Sequence, residues 1–472
     1  MAHLHSFLCL LAGLFLIATQ VTAKQTSLRI KGQGKYHSRN FGNYTVYPKP
    51  ADDSFYKVPR NVTAYKPGEI IRSRQIPTTR FGVEADRAYQ ILYRTNGQGW
   101  PDATVATTVA PRFPAPGPPK IVTVVAPENS ATINCAPSYT YLPLTTSTNN
   151  FEILALMAPQ TAIHQGWYAL IPDFEGSRSA WLLGHVEGQA TLDAMRAIMN
   201  HEPTLHNSAD ARFSISGYSG GAHGGAWAAQ LASTYAPELN IVGFVLGGLP
   251  ADMRNVSAFI DGSPTATLLY LAAAGISNGY PDVERLFSSR VKHGNASALW
   301  EQVHDGKSCA NIAYQNGPFH MDDGFTKDAQ GRTISESPLL ISHYEKDKLG
   351  KHQPPITKIP GYVLHTSTDE IIPLPQASDY VQGQCDQGAQ IEFATIHDGV
   401  HIEAGFRAQP AFVRKMQDFF LAAESRLELP KNCQRTEPEA PYPGFNDIGR
   451  LLLGDGALRL ALEAKKNGFG PS

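Results

Sequence analysis

The stretch RFSISGYSGGAHGGAWAAQL, Arg212 to Leu231, decides how this chain is read. Strand-forming residues run up to Gly217-Tyr218-Ser219-Gly220-Gly221 and pass at once into small, helix-compatible residues. A serine hydroxyl is a weak nucleophile until a base takes its proton, and it must project to where a substrate carbonyl can reach it. A sharp strand-to-helix turn provides that projection. Such a turn crowds its neighbours, which calls for glycine at Gly217 and Gly221, and the helix N-terminus that follows favours a developing oxyanion. The pattern G-x-S-x-G alone would occur by chance about 0.1 to 0.2 times in a chain this long, so the strand before it and the helix after it carry the reading. A glycine-rich helix–sheet contact would explain Gly220, Gly221, Gly224 and Gly225 but gives no reason for the serine. Ser219 is therefore the candidate nucleophile.

Outward from this turn, short apolar runs recur: YQILYRT (Tyr89 to Thr95), IVTVVAP (Ile121 to Pro127), WYALIPD (Trp167 to Asp173), IVGFVLGG (Ile241 to Gly248), GYVLHT (Gly361 to Thr366) and IEFATIH (Ile391 to His397). Their length and β-branched content fit strands. Helical patterns lie between several of them, as in GQATLDAMRAIMNH (Gly188 to His201) and QPAFVRKMQDFFLAAESRLE (Gln409 to Glu428). This alternation predicts an α/β fold, a mostly parallel sheet with helices on both faces. The first strands lack helices between them, and PRFPAPGPPK (Pro111 to Lys120) reads as a hairpin loop, so the sheet is expected to begin antiparallel. Residues 24–80 read as an N-terminal arm and 81–250 as the first part of the core. Residues 251–356 show no clear strand and read as a mainly helical insertion. Residues 357–430 complete the core, and 431–472 follow it.

A serine of this kind needs an acid and then a histidine later in the chain. After GYVLH comes TSTDEIIPLPQ, which puts Asp369 at the C-terminal end of a strand, where open α/β sheets gather their functional groups. Glu370 and Asp379 are rivals. The loop IHDGVHIEAGF offers His397 and His401; position favours His401, which immediately precedes a helical segment, and leaves His397 open.

The first residues, MAHLHSFLCLLAGLFLIATQVTA, carry an apolar run from Phe7 to Ala18 and then Val21-Thr22-Ala23. They are expected to be a signal peptide over 1–23, cleaved after Ala23, because the run is too short to span a bilayer. No later segment approaches the roughly 18 apolar residues of a transmembrane helix. The chain has 472 residues, 42% hydrophobic and 17% charged, with a formal net charge of −2. No basic block interleaved with aromatics occurs, which argues against a nucleic-acid partner. Cys135, Cys309, Cys385 and Cys433 remain after Cys9 leaves with the signal. An even number in an exported chain favours two disulfides, with three connectivities open. Sequons at Asn43, Asn61, Asn255 and Asn295 suggest glycosylation. No metal site and no cofactor are expected: HEPTLH (His201 to His206) lacks the zinc-binding spacing, and Met321-Asp322-Asp323-Gly324 lacks that of a calcium loop. His223-Gly224-Gly225 follows the nucleophile and reads as helix packing. TLLYLAAAGI, within Thr265 to Ile276, could line an apolar tunnel or form the insertion's own core.

Together GYSGGAH, PDFEG, INCAPSYTYL, YAPELNIVG, DEIIPLPQASDYVQGQC and the HIEA histidine turn resemble the fungal secretory lipases, the lipase A-type branch of the α/β-hydrolases. The likeness runs from about Phe55 to the C-terminus. It implies an α/β-hydrolase fold with Ser219 as nucleophile, Asp369 as acid and His401 as base. It implies Asp173 of PDFEG at the oxyanion hole beside the N–H of Gly220, through its own backbone N–H or a protonated carboxyl. It implies the disulfide Cys135–Cys309, leaving Cys385–Cys433, a helical cap over 251–356 and a C-terminal flap over 431–472. The activity implied is a secreted carboxylic-ester hydrolase acting on acyl esters such as triacylglycerols, with a transient lipid interface as partner. The likeness extends to fungal esterases that deacetylate secondary metabolites, including trichothecene C-3 esterases. A serine peptidase on the same scaffold and an inactive α/β-hydrolase serving as a binding protein are the more distant alternatives.

Overall fold

The computed structural model describes residues 40–41, 44–145, 152–205, 208, 210–397 and 399–438. The expected signal peptide, Asn43 and all but the first residues of the expected flap lie outside these. Strands β1 (Asn40–Phe41) and β2 (Tyr44–Thr45) form a small antiparallel pair. The other ten build one sheet: β3 (Ile70–Ile76), β4 (Ala85–Asn96), β5 (Pro101–Pro111), β6 (Lys120–Val125), β7 (Tyr168–Pro172), β8 (Arg212–Tyr218), β9 (Ile241–Gly247), β10 (Gly361–Thr366), β11 (Ile391–Ile396) and β12 (Gln434–Thr436). Their order is β12-β11-β10-β9-β8-β6-β7-β5-β4-β3. From β7 to β12 every pairing is parallel, and β3, β4 and β5 close the other edge antiparallel.

Two local expectations need correction. The hairpin turn falls at Gly97–Trp100, between β4 and β5, where Gly97 N–H bonds Trp100 O. The proline-rich stretch instead carries the chain from β5 past β7 to β6, so it is a crossover. The Thr- and Ala-rich β5 lacks the large apolar residues that mark a strand, yet it is buried along nearly its whole length. The expected arm contains β3, which pairs with β4 as the sheet edge; its polar residues suit a strand with one free side.

Helices cover both faces. On one lie α3 (Gly184–His201), α4 (Gly220–Tyr235) and α10 (Leu374–Cys385), burying Leu192, Met195, Ile198, Trp227 and Tyr380 against the strands. The other carries α2 (Glu152–His164) and α11 (His401–Ala423), with Phe412, Met416, Phe419 and Phe420 packed inward. Covering both faces explains why β7, β9 and β10 read as near-continuous apolar runs without polar alternation. The short α1 (Pro137–Thr140) follows β6.

Between β9 and β10 the chain forms α5 (Met253–Ile260), α6 (Thr267–Gly279), α7 (Pro281–Arg290), α8 (Asn295–Val303) and α9 (Pro338–Lys346). Their apolar cluster includes Leu271, Phe287 and Trp300, and it continues into Trp181, Leu183, Ile371 and Ile372 of the core. This helical layer is therefore packed onto the loops at the C-terminal edge of the sheet. Two disulfides add to the packing. Cys135–Cys309 spans 174 residues and ties the segment before α1 to the helical layer. Cys385–Cys433 ties the end of α10 to the residue before β12. Cross-links of this sort typically contribute about 2–4 kcal/mol.

Candidate active site

Ser219 sits between β8 and α4 with φ 54° and ψ −127°. A non-glycine residue held in such a sparsely populated region costs on the order of 1–3 kcal/mol. The surroundings hold it there: its N–H donates to Gly247 O at 2.9 Å, and its carbonyl accepts from Ala222 N at 2.8 Å and His223 N at 3.1 Å. A Cβ at Gly217 would lie 2.3 Å from Gly221 O, and one at Gly221 would lie 2.0 Å from Val125 O. Close approach of backbone to backbone makes both glycines obligatory. Tyr218 turns inward, and its hydroxyl donates to His401 O at 2.6 Å.

The Ser219 Oγ is 2.8 Å from His401 Nε2, and His401 Nδ1 is 2.7 Å from Asp369 Oδ2. His401 is the first residue of α11 and is 1% exposed, although its Nε2 reaches the cavity at Ser219. Asp369 lies in the loop after β10. Its Oδ1 accepts from Ile371 N at 3.0 Å and Ile372 N at 2.7 Å, which leaves Oδ2 for the imidazole. Burial would raise the Asp369 carboxyl, but the charge and hydrogen bond of His401 outweigh it and hold the carboxyl below its ordinary range. Burial would lower His401, but Asp369, then Glu370, keep it above the ordinary histidine value. His365 of β10 lies beneath, its Nε2 donating to Ile372 O at 2.9 Å. The rivals lie elsewhere. His397 is exposed and faces Glu437 at 3.2 Å. Asp379 is exposed on α10, and Glu370 accepts from the backbone N–H of His401.

Asp173 does not stand where the resemblance puts it. Its N–H donates to Val105 O, and its carboxylate accepts from Ser138 N at 2.8 Å and from Ser138 Oγ at 2.5 Å. Burial pushes that carboxyl up to about 7, against the bonds from Ser138. Asp173 follows β7, which is separated from β8 by β6, so its loop is one strand too far from Ser219. The loop after β6 carries the residue that does reach: Asn129 lines the cavities at Ser219. Its side chain lies against Gly220, where a Cβ would come 2.0 Å from Asn129 Oδ1. Asn129 has φ 51°, and its N–H donates to Glu175 Oε1 at 3.0 Å. Beneath it, Glu128 accepts from Ser130 and Ser179, and burial pushes the carboxyls of Glu128 and Glu175 well above their usual range.

Two cavities, with about 390 Å³ and about 450 Å³ of empty space, meet at Ser219. The larger is walled by Met253, Val256 and Ile260 of α5, Leu268 and Leu269 of α6, and Ile372. Helix α6 thus both walls this cavity, through Leu268 and Leu269, and packs into the helical layer's core, through Tyr270 and Leu271. His223 is buried against Glu187 and Trp227, while Gly224 and Gly225 lie against Phe174 and Leu246. The sequons Asn61, Asn255 and Asn295 are exposed. Among the described residues no cluster has the make-up of a metal site, and no helix is long and apolar enough to cross a membrane.

Comparison with known proteins agrees with this architecture. A lipase A of Moesziomyces aphidis is 33% identical over 365 residues, 76% of this chain and 77% of that one. A secreted triacylglycerol lipase of Malassezia globosa is 31% identical over 373 residues, 78% and 77% of the two chains. The crystal structure of Candida antarctica lipase A in its closed state superposes with a TM-score of 0.77 at 28% identity, covering 90% of this chain and 98% of that one. The sheet and helices are those of an α/β-hydrolase, and the family model described as secretory lipase matches residues 140–425. The chain belongs to the secretory lipase family, whose members are carboxylic-ester hydrolases.

Proposed function

We propose that this protein is a secreted serine lipase that cleaves acyl esters, triacylglycerols among them, through an acyl-enzyme on Ser219. One observation carries the reading: a serine, a histidine and a carboxylate linked at 2.8 Å and 2.7 Å open onto an apolar cavity under helices. His401 takes the Ser219 proton through Nε2 as Oγ attacks the ester carbonyl, and Asp369 holds the tautomer and stabilises the imidazolium. The oxyanion accepts from the N–H of Gly220, which by its place at the start of α4 has no intrahelical acceptor, and from Nδ2 of Asn129, whose carboxamide turns to present that nitrogen in place of Oδ1. An amide supplies N–H donors at any pH, which an ionised aspartate cannot. The imidazolium returns its proton to the departing alcohol. Water deprotonated by His401 then releases the acid and restores Ser219.

The acyl chain lies along Leu268, Met253 and Ile372, and residues 251–356 act as a cap over it. Burying each chain methylene there is worth about 0.8 kcal/mol, so longer acyl groups are preferred. Export rests on residues 1–23 as a cleaved signal peptide, and on the relative named a secreted lipase. The test is an ester chain-length profile on the mature protein, with Ser219→Ala as blank. A maximum at medium or long chains, absent in the blank, supports the lipase. A sharp acetyl preference would replace it with a deacetylase. Activity should also rise steeply once substrate forms droplets.

A further inference from the structure

Glu370 takes no part in that scheme, yet it stands between the cap and His401. Its Oε2 accepts from the backbone N–H of His401 at 2.7 Å. Its Oε1 accepts from the Tyr314 hydroxyl at 3.4 Å. Tyr314 belongs to the helical layer, just after the short turn Ala310–Ile312 that follows Cys309. The neighbours Ile371 and Ile372 are buried in the apolar cluster of that layer.

The first N–H of a helix has no partner within the helix. In His401 that N–H meets a carboxylate, which makes a short, charge-assisted bond at a helix end that favours negative charge. The carbonyl of the same residue accepts from Tyr218 at 2.6 Å. Both backbone polar groups of His401 are thus held by side chains, one from the nucleophile turn and one from the loop of the acid. With Nδ1 held by Asp369, the ring can meet Ser219 in only one way. The groups facing His401 are Asp369 and Glu370 from the loop after β10, His365 from β10, and Tyr218, whose ring centroid is 5.1 Å away.

We propose that Glu370 is a positioning residue: one carboxylate oxygen fixes the His401 backbone, and the other ties it to the cap through Tyr314. The proposal rests on His401 acting as the base. A cap that lifts carries Tyr314 away and leaves the carboxylate held on one side only, so the alignment of His401 registers whether the cap is seated.

The test uses the mature protein and a soluble short-chain ester, with Ser219→Ala and His401→Ala as controls. Glu370→Ala is expected to lower kcat about 10- to 100-fold, the scale of a misplaced catalytic group, with KM little changed. Glu370→Gln keeps an acceptor and loses the charge. It should recover most of kcat while its acid limb of kcat/KM moves to lower pH by on the order of half a unit, because a nearby negative charge no longer favours the imidazolium. Tyr314→Phe should speed amide hydrogen exchange at the start of α11. Wild-type kcat and an unmoved acid limb in both Glu370 variants would overturn the positioning role, even if melting temperature fell. Wild-type exchange in Tyr314→Phe would overturn the link to the cap. Turnover surviving in the two controls would instead remove the underlying reading of the triad, and this proposal with it.

Discussion

Two buried histidines in this molecule hold a carboxylate with the same ring nitrogen at the same distance. His401 Nδ1 is 2.7 Å from Asp369, and His223 Nδ1 is 2.7 Å from Glu187. Each lies in the first turn of a helix that follows a core strand. They differ in what the other nitrogen faces. His401 Nε2 faces the Ser219 hydroxyl at the wall of a cavity, whereas His223 Nε2 accepts from the indole N–H of Trp227 at 3.2 Å, with no exposure at all. A hydroxyl gives up its proton as its oxygen attacks carbon; an indole N–H beside no cavity has nothing to attack. On the proposed mechanism, pairing with a carboxylate therefore does not mark a base. The third atom and the space beyond it do. Glu187 has its own task, since its Oε1 accepts from the N–H of Leu182 and so joins α3 to the loop that walls the larger cavity.

The contrast breaks most directly on rate. Ser219→Ala and His401→Ala should each reduce kcat for ester hydrolysis by about a millionfold, as for single members of a comparable triad. His223→Ala should leave kcat per folded molecule close to wild type, so a comparable loss there would erase the distinction. The next largest effect separates Asn129 from Asp173. Removing one oxyanion donor costs about a hundred- to a thousandfold, and Asn129→Ala should show that loss in kcat. Asp173→Asn should not approach it; the reverse ranking would return the role to Asp173.

Acidity sharpens the comparison further. His401 must be neutral to accept the serine proton, and Asp369 holds its pKa above the ordinary value. The acid limb of kcat/KM should accordingly lie above about 6.5, the ordinary histidine pKa. Stability runs the other way. A raised folded pKa adds stability that is complete below the unfolded value and lost as pH rises through the folded one. Denaturant titrations of wild type and His401→Ala across that window should converge as pH rises. The smallest effect on rate comes with a large one on stability. His223→Ala leaves Glu187 buried without its partner, at a cost of about 3 kcal/mol, which urea unfolding would register as a lower midpoint at unchanged slope.

The nucleophile turn was legible because everything it needs is local: glycine where backbone crowds backbone at Gly217 and Gly221, and a strand and a helix on either side of Ser219. Asp369 and His401 were legible as residues at strand ends, but choosing them over Glu370, Asp379 and His397 took the family likeness. In space the choice is plain, since His397 points to Glu437 and Glu370 to a backbone N–H. The place of Asn129 at the wall of the cavities beside Ser219 was not legible. Its neighbours Glu128 and Ser130 form no motif, and PDFEG, with its acidic residue at a strand end, drew the assignment one strand too far. β5 escaped for a different reason: threonine and alanine fill a buried strand where space is limited, without the bulk that periodicity detects.

By itself the sequence determined the strand–turn–helix around Ser219 and most of the alternation of core strands and helices, because each depends on residues adjacent in the chain. Only the tertiary structure decided which loop lies beside Gly220, which histidine has a cavity beyond it and what the carboxylate of Glu370 holds. Those depend on strand order, with β6 and not β7 beside β8, and strand order is set by how distant segments pack together.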